Sequence, residues 1–145
     1  VISKIIDSTD NFYNIRIYGV FDENELDTRF IKSNIKRYIN KQPIIIHQNK
    51  LMDFFYMKDL IRLVEYFIYE NNLPKNIDCS YSYHYNLIAI ADMINELAGY
   101  KVEIKIKNPV TTKSYIGKEN PINIKWKGLE QGIKETYKKL LNETN

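Results

Sequence analysis

Residues 43–60, PIIIHQNKLMDFFYMKDL, constrain the fold of this chain more than any other stretch. Three successive isoleucines, Ile44, Ile45 and Ile46, leave no polar face, so they read as a strand buried on both sides. Gln48, Asn49 and Lys50 read as a polar turn and residues 52–57 as a second strand, the two forming a hairpin. From Leu60 the apolar spacing becomes helical. Leu60, Leu63, Val64, Phe67 and Ile68 share one stripe, and Asp59 is the expected N-cap.

That switch of period recurs. Residues 13–21 (YNIRIYGVF) are β-rich and almost continuously apolar, punctuated by Gly19. Thr28 caps a helix whose inner face is Phe30, Ile31, Asn34, Ile35, Tyr38 and Ile39, and residues 40–43 break it. A strand over 78–83 precedes a helix capped by Asn86 and closed by Gly99 as its C′ residue. Residues 102–106 alternate like a half-exposed strand, and 108–121 form a polar loop. The last helix starts near Leu129 with Leu129, Ile133, Tyr137 and Leu140 inward, leaving 142–145 as a frayed tail. Val1, Ile2, Ile5 and Ile6 have helical spacing from the first residue, which suggests a fragment or a processed product. Alternating strands and helices predict an α/β fold.

With 145 residues the chain can bury a real core as one domain. A net charge of +3 gives no case for nucleic acid, and the row Arg29, Lys32, Lys36, Arg37 reads as a solvated helix face. The single cysteine, Cys79, excludes an internal disulfide and fits a reducing cytoplasm. No run is long enough for a membrane helix, and no signal peptide is visible. His47, His84 and Cys79 lack metal-ligand spacing, and no hydroxyl has a partner base at triad spacing.

Taken in order, YNIRIYGVF, RFIKSNI, KQPIIIHQNKLMDFFYMKDLI, NLIAIADMINELAGY and GLEQGIKETYKKL resemble the C-terminal part of an extended short-chain dehydrogenase. That family comprises NAD(P)-dependent nucleotide-sugar epimerases, dehydratases and reductases. The resemblance implies the substrate-binding part (residues 1–141) of an extended Rossmann-type fold, with mixed strands and helices but no dinucleotide-binding N-terminal half. It also implies NAD or NADP in the parent protein, a nucleotide-sugar substrate, and chemistry that starts with hydride transfer between sugar and cofactor. The family's Gly-rich turn and Tyr-x-x-x-Lys pair are missing here, so this chain is expected to be inactive and to bind no cofactor by itself. Lys4 is a weaker candidate for that lysine than a residue upstream of Val1. A non-catalytic binding or interaction module derived from the same fold is the competing expectation.

The resemblance also implies site residues. Ile17 and Tyr18 fall beside the nicotinamide. Gly19 stands where the family has a substrate-touching Asn, which leaves more room. Thr28 and Arg29 approach the nucleotide, while Ile45 and His47 line the base pocket. Met52 stands where the family has a diphosphate-binding Arg, a bidentate task that Met cannot perform. Lys50, Arg29 and Lys113 are the candidates to supply the missing charge. Asp53 is expected to bond nearby backbone, His84 to be a loop residue before the Asn86 cap, and Trp126 to be a packing anchor. Strands parted from their sheet would expose edges, which predicts a homo-oligomer.

Overall fold

The computed structural model describes residues 12–144. The expected helix over 1–9, and Lys4 with it, lies outside the described residues. The elements run β1 (Asn14–Ile17), β2 (Val20–Phe21), α1 (Phe30–Ile39), β3 (Ile44–Gln48), β4 (Phe55–Tyr56), α2 (Met57–Tyr69), β5 (Asn76–Cys79), α3 (Leu87–Asn95), β6 (Ile104–Asn108) and α4 (Gly128–Thr144). The α/β alternation is as expected.

Every strand pair is parallel: β1 with β5, β2 with β4, and β3 with β6. The expected hairpin is therefore absent. β3 and β4 join different sheets, and the chain between them continues onward instead of reversing. The β-rich stretch 13–21 is likewise two strands, split at Tyr18–Gly19, with one half in each of two sheets.

α1, β3, α3 and α4 enclose the larger core around Ile31, Ile35, Tyr38, Ile44, Ile46, Ile90, Ile94 and Ile133. A smaller core of Phe55, Leu63, Ile77, Cys79 and Ile122 lies under α2, and Tyr81 packs against both. Trp126 anchors it as expected, edge-on to Phe55 at 5.4 Å. Within β3, Ile44 and Ile46 point into the core while Ile45 and His47 share the other face. One edge of β3 pairs with β6. At the other, the Asn34 side chain stands in for a strand: its amide donates to the Ile45 carbonyl at 3.1 Å and accepts the Ile45 N–H at 2.8 Å.

The helix ends depart from several expectations. Arg29, not Thr28, is the N-cap of α1, and it makes no side-chain cap bond. Instead the Glu25 carboxylate, reaching from the preceding loop, accepts the Lys32 N–H at 3.1 Å. Asp59 lies inside the first turn of α2, whose N-cap is Tyr56. Its buried carboxylate accepts from Lys127 N and Gly128 N, both at 2.9 Å, so it caps α4 rather than its own helix. The Tyr81 hydroxyl donates to the same carboxylate at 2.6 Å. Asn86 caps α3 as expected, accepting from Ala89 N at 2.8 Å. That helix ends at Asn95, before Gly99 is reached, and α4 continues through residues 142–144, where fraying was expected.

Candidate functional site

The site is organised around residues 50–53, which run between two other segments. On one side, Met52 N donates to Tyr85 O at 3.2 Å and Leu87 N to Lys50 O at 3.1 Å. On the other, Tyr115 N donates to Leu51 O at 2.8 Å and Asp53 N to Tyr115 O at 3.1 Å. Thr112 N reaches Asn49 O, so the polar loop after β6 follows 49–53 along its length. The assembly lies just beyond the C-terminal ends of β1, β3, β5 and β6, the side on which open α/β sheets bind ligands.

Two buried carboxylates hold this rim together. Asp53, 6% exposed, meets His84 Nδ1 at 2.7 Å through Oδ1 and accepts Gly117 N at 2.7 Å through Oδ2. Its partners are therefore remote in sequence, not the nearby backbone expected. Asp78, 4% exposed, accepts from Arg16 Nε at 2.5 Å, from Lys118 N at 2.7 Å and from the Tyr18 hydroxyl at 3.2 Å. Burial by itself would raise the Asp78 pKa. The Lys118 N–H and the Arg16 guanidinium outweigh that and hold it below its ordinary value. Tyr18 shifts upward, through burial first and the Asp78 charge second. Tyr18 also packs edge-on against Tyr115, with ring centres 5.3 Å apart.

Gly19 does not open space here. A Cβ on it would lie 2.8 Å from Asp53 O, with Phe54 and Met52 next nearest, so residues 52–54 already occupy the room that was expected. Met52 closes one edge of the rim through its bridge to Tyr115.

The structure brings Tyr18, Gly19, Lys50, Met52 and Lys113 to this rim, with Lys113 exposed between Thr112 and Tyr115. Ile17 is exposed at the end of β1, and His47 at the far end of β3 beyond half-buried Ile45. Thr28 and Arg29 are exposed at the start of α1; Arg29 lines a separate hollow of about 330 Å³ with Val20, Glu25 and Met57. Sequence reasoning missed Asp53, Asp78, Arg16, His84 and Gly117 as a group. The signal available was Asp53 beside Met52 and one glycine in a polar loop. It also missed a 590 Å³ groove lined by Tyr81, Tyr83, Tyr85, Asn120, Trp126 and the start of α4.

A dinucleotide needs a helix N-terminus with free N–H groups behind a glycine turn. α4 begins at Gly128, but the N–H groups of Lys127 and Gly128 are taken by Asp59. The start of α4 is therefore already occupied by Asp59. Among the described residues, no group of three or more His, Cys, Asp or Glu is arranged to hold a metal. No helix there is long and apolar enough to cross a membrane. Cys79 is buried on β5, and burial pushes its thiol up to about 12.

No family model matches the sequence, and no curated protein matches it. Solved structures do. UDP-N-acetylglucosamine 4-epimerase from Bacillus cereus aligns over 97% of this chain and 50% of its own, with a TM-score of 0.69 and 18% identity. UDP-glucuronic acid 4-epimerase from the same organism, in complex with UDP-glucuronic acid and NAD, aligns over 92% and 46%, with a TM-score of 0.69 and 13% identity. For dTDP-glucose 4,6-dehydratase from Bacillus anthracis, in complex with NAD, the values are 90%, 44%, 0.67 and 12%. The chain has the fold of the C-terminal half of these extended short-chain-dehydrogenase-type enzymes. It spans about half the length of the structures it matches. The rim at 50–53 thus lies in a fold whose solved examples include complexes with a nucleotide sugar and with NAD.

Proposed function

We propose that this chain is the substrate-binding half of an NAD(P)-dependent nucleotide-sugar epimerase, dehydratase or reductase. Its partners would be a nucleotide sugar and a dinucleotide-binding half, in the cytoplasm. The observation that carries the reading is the preformed rim. Asp53 and Asp78 pin Gly117 and Lys118 over residues 50–53, so polar groups converge before any ligand arrives. Such preorganisation lowers the entropy lost on binding. In this reading Lys50, Met52, Lys113 and Gly19 border the sugar and phosphates, Ile45 and His47 the base, and Thr28 and Arg29 the nucleotide's outer side. Ile17 and Tyr18 face the nicotinamide held by the other half. In this reading the dinucleotide belongs to the other half, so the chain by itself binds none and turns nothing over; the occupied start of α4 supports it.

Two titrations test this. UDP-glucose and dTDP-glucose should raise the melting temperature of the chain, and NADH fluorescence should stay unchanged. Micromolar NADH binding would overturn the assignment of roles. A second reading, a non-catalytic interaction module of the same fold, is favoured by Met52 at the rim and by the filled space at Gly19. It predicts no thermal response to any nucleotide sugar.

A further inference from the structure

We infer that His84 is the side chain that meets the substrate's diphosphate; this rests on the nucleotide-sugar reading above. A diphosphate is held best by hydrogen-bond donors that are already in place, because ordering long side chains costs entropy. The cations at the rim differ in this respect. Arg16 is committed to Asp78. Lys50, Lys113 and Lys118 carry long, flexible side chains, and the last two are exposed.

His84 is held. Its Nδ1 lies 2.7 Å from Asp53 Oδ1, and Asp53 is fixed in turn by Gly117 N at 2.7 Å. The imidazole is a quarter exposed, whereas the carboxylate that orients it is 6% exposed. No hydrogen bond among the described residues uses Nε2. Tyr85, the next residue, accepts the N–H of Met52, so the ring sits on the Met52 edge of the rim. With Nδ1 tied to Asp53, Nε2 is the ring nitrogen left over, and in its N–H form it can donate to a phosphate oxygen. Asp53 is a positioning residue and His84 the contact.

Calorimetric titration of the chain with UDP, and saturation-transfer NMR with uridine, separate the possibilities. His84→Ala removes the donor. His84→Gln keeps a neutral amide that can still reach Asp53, and it decides the matter if the alanine variant does not fold. UDP binding should weaken tenfold or more in the variants while uridine binding is unchanged. A smaller loss for UDP, or an equal loss for uridine, would overturn the inference and mark His84 as structural. Failure of the unaltered chain to bind either UDP or UDP-glucose is a different result, and it removes the substrate reading together with this one.

Discussion

A Cβ on Gly117 would lie 2.5 Å from Tyr18 Cε2 and 2.8 Å from Asp78 Cβ, nearer than real Cβ atoms approach their neighbours. The Asp78 side of that contact is tied to β1 through Arg16, and Gly117's own N–H is held by Asp53. Gly117→Ala should therefore cost about 1–3 kcal/mol in urea unfolding, as overpacking does. It should also speed amide exchange at residues 117 and 118. Glu25 sets a pH response. Burial pushes its carboxyl up to about 7 from an ordinary 4.5, only partly offset by the Lys32 N–H. The folded state then holds a proton that the unfolded chain has lost. This stabilisation is complete below about pH 4.5 and disappears as pH rises through about 7. Glu135 acts in the opposite sense. Burial would raise it, but Lys127, Lys58, Gln131 and Tyr56 hold it below its ordinary value, so its contribution is present at neutral pH and lost on acidification. Glu25→Gln keeps the acceptor for Lys32 N without the charge. It should raise the melting temperature at pH 8 and leave it unchanged at pH 4.5, which a pair of thermal scans would check.

At the scale of elements, what could be read in advance was whatever depends on near neighbours. The 3.6-residue stripe placed all four described helices, and the Asn86 cap lies three residues from the N–H it receives. The hairpin failed because partner choice among parallel strands is not local: β3 finds β6 across the whole of α2, β5 and α3. Asn34 appeared only as one polar member of an apolar helical face. Its task, satisfying both backbone groups of Ile45, is visible only once β3 is beside it. The site follows the same rule, since Asp53 meets His84 and Gly117 from two different connections. Asp59 makes the point quantitatively. It joins α2 to α4 by accepting from Tyr81, Lys127 and Gly128 with no exposure of its own. Asp59→Ala would take the shared acceptor from those donors, at a cost of about 2–4 kcal/mol. Guanidinium unfolding would measure it, with the start of α4 the first region to lose exchange protection.

At the scale of the molecule, the apolar side chains left exposed on β1 and α2 bear on association. β5 is buried from Ile77 to Cys79, whereas Arg16 and Ile17 on β1 are exposed. Nearby apolar exposure continues on α2, where Ile61, Val64 and Ile68 recur at helical spacing and are each exposed. Exposed apolar side chains of this kind favour association. The expected state of the chain in solution is therefore an oligomer, unless a dinucleotide-binding half covers the same surface. Light scattering after size exclusion would give the mass. Ile17→Lys places a charge among these exposed apolar side chains, where it disfavours association. It also leaves the cores untouched, because Ile17 is 48% exposed. The variant should shift the mass to that of a single chain while its melting temperature stays close to that of the parent. A monodisperse single chain before any substitution would show that these exposed side chains need no partner, and the expected oligomer would lose its physical basis.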